Sequence, residues 1–153
     1  MKKIVSLLLV FLAFTALSQE QILNYNSEII INKDRSLTVT ETIKVRAEGN
    51  KINRGIFRDI PNVMLDENDL RLKVDLEFEE VLLDGRPVNW AVEGIHDGKR
   101  VKIGDADVFL DPGEYTYSIR YRMADQVRFF EGYDEVYWNI TGCLLYTSDA
   151  ADD

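Results

Sequence analysis

Alternation with a period of two runs through most of this chain. Ile29 and Ile31, then Leu37, Val39, Ile43 and Val45, set apolar side chains at every second position on either side of Asn32-Lys33-Asp34-Arg35-Ser36. Successive side chains of a strand point to opposite faces, so these runs predict a hairpin with one buried face. Thr38, Thr40 and Thr42 take the other face of the second run, where β-branched hydroxyl residues suit both the pleat and water. Leu70, Leu72, Val74, Leu76 and Phe78 alternate with Arg71, Lys73, Asp75, Glu77 and Glu79, which predicts the clearest half-buried strand. Val81–Leu83 and Val88–Val92 flank Asp84-Gly85-Arg86-Pro87, whose Asp-Gly pair favours the positive φ of a tight turn. His96-Asp97-Gly98-Lys99 predicts the next turn, leading into Val101–Ile103, and Asp111-Pro112-Gly113 another. Tyr115, Tyr117, Ile119, Tyr121 and Met123 then alternate with Thr116, Ser118, Arg120 and Arg122, and a short apolar run follows at Val136–Ile140.

Gly49–Leu65 interrupts the pattern. It mixes Gly49, Asn50, Asn53, Gly55 and Pro61 with Ile52, Ile56, Phe57, Ile60 and Val63, and reads as a long loop or short turn packed on the core. No segment carries a convincing helical period, and there is no internal repeat. About seven short strands with frequent turns predict an all-β fold, an antiparallel immunoglobulin-like β-sandwich, with an open barrel as the alternative.

The two ends read differently from the middle. Lys2 and Lys3, the apolar run Ile4–Leu17 and the small residues of Ala16-Leu17-Ser18 make residues 1–18 a secretory signal peptide, cut before Gln19. The apolar run is shorter than the roughly 20 residues that span a bilayer, which argues against a retained anchor. Cys143–Asp153 (CLLYTSDAADD) reverse-translates into one frame of a transposase sequencing adapter. The expected organisation is therefore a signal peptide (1–18), one extracytoplasmic domain continuing past Gly142 in the natural protein (19–142), and an adapter artefact (143–153).

Composition narrows the chemistry. The formal charge of −9 becomes −8 once Lys2, Lys3, Asp149, Asp152 and Asp153 are set aside. Such an acidic domain repels nucleic acid and anionic headgroups. Cys143, the only cysteine, lies in the suspected artefact, so residues 19–142 hold no disulfide, thiol nucleophile or cysteine metal ligand. One histidine, His96, is a poor basis for a metal or proton-relay site. Asp66-Glu67-Asn68-Asp69 and Asp105-Ala106-Asp107 offer oxygens to calcium but lack EF-hand spacing, and read as solvated loops. Neither a cofactor nor a metal is expected. Asn139-Ile140-Thr141 is a glycosylation sequon that matters only in a eukaryotic secretory route.

Two segments concentrate candidate chemistry. In Ile52–Pro61, Arg54 and Arg58 bracket Gly55 and Phe57 and precede Asp59. Two guanidiniums so placed suit a clamp on a ligand carboxylate or phosphate; the alternative, which needs no ligand, pairs them with the chain's own acids while Phe57 plugs the core. Phe129–Asn139 holds five aromatic residues and three carboxylates, among them Tyr133, Asp134, Glu135, Tyr137 and Trp138. Exposed, they suit a sugar or peptide surface; buried, they close the core with polar tips at the rim. Asp134 and Glu135 are adjacent, so on a strand they face opposite ways, which weakens a glycosidase reading.

Taken together, the run Leu37–Ile43 (LTVTETI), then Arg54–Pro61 (RGIFRDIP) and Tyr133–Gly142 (YDEVYWNITG), resemble the DUF2207 family of predicted bacterial membrane proteins. The resemblance spans Ile22–Gly142. It implies a signal peptide, an extracytoplasmic β domain and membrane helices further along, with no established activity and no catalytic residues to carry over. The expected function is a non-enzymatic interaction module at the cell envelope, binding a protein or glycan and tethered by helices outside this chain. The alternative is a carbohydrate-binding accessory domain or part of a secreted hydrolase.

Overall fold

The computed structural model describes residues 20–65, 70–136, 138 and 145–147. Strands and turns account for these residues, and no helix occurs among them. The expected signal peptide, the acidic run Asp66–Asp69, Tyr137 and the sequon Asn139–Thr141 lie outside them.

The predicted first hairpin forms from β1 (Gln21–Ile31) and β2 (Leu37–Ala47), antiparallel, with Ile31 opposite Leu37. Its turn is pinned by side chains: Asn32 Nδ2 donates to Ser36 Oγ at 3.0 Å and to Thr38 Oγ1 at 2.9 Å. The next strands are β3 (Gly55–Pro61), β4 (Val63–Leu65), β5 (Arg71–Lys73), β6 (Leu76–Leu83) and β7 (Arg86–Pro87). After them come β8 (Trp90–Ile95), β9 (Gly98–Gly104), β10 (Gly113–Met123), β11 (Val127–Phe130), β12 (Tyr133–Val136) and β13 (Leu145–Thr147). One sheet runs β1-β2-β10-β6-β7 and a second runs β13-β3-β9-β8, with the hairpins β4-β5 and β11-β12 beside them. Every pairing is antiparallel.

Both larger sheets feed one apolar cluster. Val39, Ile43, Ile119 and Tyr121 enter it from the first sheet, and Ile56, Ile60, Val101 and Ile103 from the second, all essentially inaccessible to water. Burial of this kind is the main favourable term holding the fold.

Two expectations are corrected. Gly49–Leu65 is not simply a loop, since it contains β3 and β4, and β3 pairs along its whole length with β9, from Gly55 opposite Gly104 to Pro61 opposite Gly98. Ile56, Phe57, Arg58 and Ile60 are all buried, so β3 is covered on both faces and shows no alternation. The strand expected across Leu70–Phe78 breaks at Val74-Asp75. There Val74 N donates to Asn62 O and Ala124 N donates to Asp75 O, which moves the chain from the β4-β5 hairpin into the first sheet. Leu70 and Leu72 consequently lie exposed.

Just ahead of β1, the Glu20 carboxylate accepts backbone N–H bonds from Glu48, Asn50, Lys51 and Ile52, at 2.8 to 3.2 Å. Convergent amides of this kind form a concave anion site. Here it ties the start of β1 to the loop that leads into β3.

Candidate functional site

Arg58 points from β3 into the interface between the sheets, where Glu41 of β2 meets it. Its Nε lies 2.6 Å from Glu41 Oε2 and its Nη2 2.7 Å from Glu41 Oε1, a fork-to-fork pair in which both side chains are 1% exposed. Nη1 donates to Asp59 O at 3.0 Å and Nη2 also to Tyr25 Oη at 3.1 Å, while Tyr121 Oη donates to Glu41 Oε1 at 2.8 Å. The pairing holds the Arg58 pKa above its ordinary value against the opposing effect of burial. Burial and the neighbouring Glu41 carboxylate push the Tyr25 phenol up to about 12, and the same causes raise Tyr121 further. A guanidinium enclosed in this way presents no face to a ligand.

Arg54, expected to share a clamp with Arg58, lies elsewhere. Its guanidinium stacks 4.6 Å from the ring centroid of Phe109, an exposed residue of the β9–β10 loop, and its buried Nε finds no acceptor. Gly55 between them lies close against β9, where a Cβ would run into Ile103 O. Phe57 is covered by Arg100 and Lys102, at 5.6 and 5.5 Å from its ring centroid. Asp59 accepts both Arg100 Nε and Nη2, at 2.6 and 2.8 Å. The β3 candidates thus divide between the core, the flank of β9 and the β9–β10 loop.

The second candidate segment forms a hairpin. In β11-β12, Phe130 pairs with Tyr133 and their rings stack at 5.0 Å; Phe129 stands opposite Asp134, and Arg128 opposite Glu135. Paired residues share a face, so Asp134 and Glu135 project to opposite sides. Phe129 and Tyr133 are largely exposed and Val136 partly so. Trp138 turns inward instead, its ring 6.0 Å from Tyr121, so the two sequence motifs meet through Tyr121 and Glu41.

Sequence reasoning missed the hollow beside Trp138. Pro61, Asn62, Val63, Met64, Val74, Gln126 and Trp138 line a half-open hollow of about 50 Å³. Asn62, 2% exposed, donates Nδ2 to Val74 O at 2.8 Å and leaves Oδ1 without a partner; Trp138 Nε1 is likewise buried and unpartnered. Beyond Met64 and Val74, which line both spaces, an open cleft of about 720 Å³ lies between β5 and β11, with exposed Leu72 and Phe129 on its walls and Arg35, Lys73 and Asp125 at its edge. Among the described residues no cluster of His, Cys, Asp or Glu has the arrangement of a metal site.

The same stretch of chain matches a family model. The N-terminal domain of a predicted membrane protein family, DUF2207, aligns with residues 21–143. This chain belongs to the DUF2207 family. The uncharacterized protein YciQ of Escherichia coli (strain K12) is 26% identical over 124 residues, which is 81% of this chain and 20% of YciQ, so the chain spans about a fifth of that relative's length. Native yeast LTA4 hydrolase shares the fold over 70% of this chain and 15% of its own, at a TM-score of 0.50 and 17% identity. That likeness concerns fold alone. In this DUF2207 domain the family-like motifs RGIFRDIP and YDEVYWNITG supply, through Arg58 and Trp138, two ends of one buried network.

Proposed function

We propose that this DUF2207 domain is a non-catalytic extracytoplasmic interaction module, an immunoglobulin-like sandwich carried by a membrane-anchored protein, and that its contact face is the cleft between β5 and β11. The observation that carries this reading is the exposure of Phe129 (63%) and Leu72 (48%) on the walls of one open cleft. Large apolar side chains gathered in this way on a soluble surface mark a place of contact. Membership in a membrane-protein family supports the anchoring, and the signal peptide read from residues 1–18 supports the side.

The stacked Phe130–Tyr133 pair beside exposed Asp134 and Glu135 favours a glycan as the second reading, since rings cover the apolar faces of sugars while carboxylates accept their hydroxyls. Site-specific photo-crosslinking from position 128 in the native envelope, with and without Phe129→Ser, tests the contact face. Discrete adducts that disappear with Phe129→Ser are expected. Adducts unchanged by that substitution overturn the cleft as the contact face, and saturable quenching of Trp138 fluorescence by soluble glycans moves the second reading to the front.

A further inference from the structure

We infer that the loop Glu48–Ile52 is a carboxylate-binding site, closed in this fold by the chain's own Glu20 and open to a free carboxylate once that side chain is withdrawn. Four backbone N–H groups converge there on one carboxylate. Those of Glu48, Asn50 and Ile52 donate to Glu20 Oε1 at 3.1, 2.9 and 3.2 Å, and that of Lys51 donates to Oε2 at 2.8 Å. Gly49, at φ 75°, takes the left-handed conformation that turns neighbouring amides toward a common centre. The receptor is made of backbone alone, so any carboxylate that reaches it meets the same donors.

The surroundings set its selectivity. Both oxygens of the carboxylate are engaged, whereas a single-atom anion such as chloride meets only part of the set. Glu48 in the loop itself and the formal charge of −9 oppose a dianion such as phosphate. Ala47 and Ile52 are buried, so the loop is pinned to the core at both ends and its amides stand in place before a ligand arrives. The occupant, by contrast, is weakly tethered. The ladder between β1 and β2 slips between Ile22 and Asn24, and Gln21 and Ile22 ahead of the slip are exposed. A strand end of this kind opens locally at little cost, which makes Glu20 a plug held mainly by the site it fills.

The test uses Glu20→Ala, which empties the site, and follows the amide resonances of Glu48, Asn50, Lys51 and Ile52 by NMR. Sodium acetate is the probe, with sodium chloride at equal ionic strength as the control. Saturable downfield shifts of the four amides are expected with acetate, at a Kd on the order of 10–100 mM for so small a ligand. The melting temperature of the variant, lowered by the substitution, rises along the same curve. Wild-type protein is expected to show neither change at these concentrations, because its tethered carboxylate holds the site at a high effective concentration.

Shifts no larger than those with chloride, or shifts that never saturate, overturn the inference. Wild-type amides that respond as strongly as those of the variant overturn Glu20 as the occupant. If Glu20→Ala is unfolded, recovery of its far-UV circular dichroism by acetate and not by chloride is the corresponding expectation, and no recovery overturns the site. Glu20→Gln keeps the shape of the side chain and removes its charge, so acetate is expected to displace it, at a higher concentration than fills the alanine variant. A glutamine variant that melts like the wild type and ignores acetate rejects the loop as a receptor for the carboxylate charge.

Discussion

Along β2 the inward positions run Leu37, Val39, Glu41, Ile43, Val45 and Ala47, a carboxylate standing alone in an apolar row. Taking an unpaired carboxylate out of water costs several kcal/mol, so the row is tolerable only where a cation is supplied from across the core. Arg58 supplies it, with Tyr25 and Tyr121 satisfying further positions of the knot. The pair is a device for fixing which sheet positions face one another more than a source of net stability, since desolvating both ions offsets most of their attraction. Arg58→Met is therefore expected to lower the unfolding free energy by about 3–5 kcal/mol, and Glu41→Leu by a similar amount, because each leaves its partner buried and unpaired. The double variant Glu41→Leu/Arg58→Met fills the space with apolar atoms and regains most of the loss. Urea denaturation of the four proteins measures the coupling, and losses that simply add reject the pair as a unit.

At the level of elements, what the sequence made legible depended on how many faces of a strand are covered. β2 and β10 each have one core face, and their alternation predicted them directly; of β1 only its end was read, at Ile29 and Ile31, and of these Ile31 is exposed while Ile29 packs on the core. β3 is buried on both sides, so its run of Ile56, Phe57, Arg58 and Ile60 lacks the period that marks a strand, and the glycines and asparagines before it suggested a loop. The break between β5 and β6 was illegible for the opposite reason, because alternation continues unbroken across Val74-Asp75 while only backbone contacts to Asn62 and Ala124 redirect the chain. Glu41 was missed although it stands as the polar exception in an apolar row, a signal the sequence carries; Asn62 carries no such signal, since its partner Val74 O is brought by tertiary structure alone. Glycines hold β3 against β9: a Cβ on Gly55 would lie 1.8 Å from Ile103 O, and one on Gly104 2.0 Å from Arg54 O, at φ of 146° and 132°. Gly85, at φ 75° in the β6–β7 turn, faces open space. Gly85→Ala is thus expected to cost about 1 kcal/mol from its backbone conformation alone, and Gly55→Ala distinctly more, because the clash pushes β3 off β9 and shifts Arg58 with it. Thermal melts of the two variants decide the matter, and equal losses argue that the approach of the strands imposes no constraint.

For the molecule as a whole, the buried phenols set an alkaline limit on stability. Tyr117 and Tyr121 are buried in the core and Tyr25 packs half-buried against it, and desolvation raises the pKa of all three, for Tyr25 from 10.0 to about 12. A group whose folded pKa exceeds its unfolded value contributes stability that is complete below the unfolded value and is lost as pH rises through the folded one. Stability should accordingly hold up to about pH 10 and decline between about 10 and 12, as the unfolded chain releases phenolic protons that the folded chain retains. At the acid end Glu20 acts in the reverse sense. Its pKa is lowered despite the opposing desolvation, because four backbone amides bind the carboxylate, so its contribution is present above 4.5 and fades as pH falls through the depressed value. Arg58 keeps its charge throughout, being held above its usual value, which leaves the phenols as the groups of the knot that respond to alkali. Urea midpoints measured across this range, alongside phenolate absorbance, locate the transition. Tyr121→Phe keeps the ring packed on Phe78 and Trp138 while deleting the ionisable hydroxyl, so it is expected to flatten part of the alkaline slope, at the cost of one hydrogen bond to Glu41. An unchanged slope in that variant, or phenolates all appearing near pH 10 while the protein stays folded, contradicts the assignment of the alkaline limit to the tyrosines that close the core.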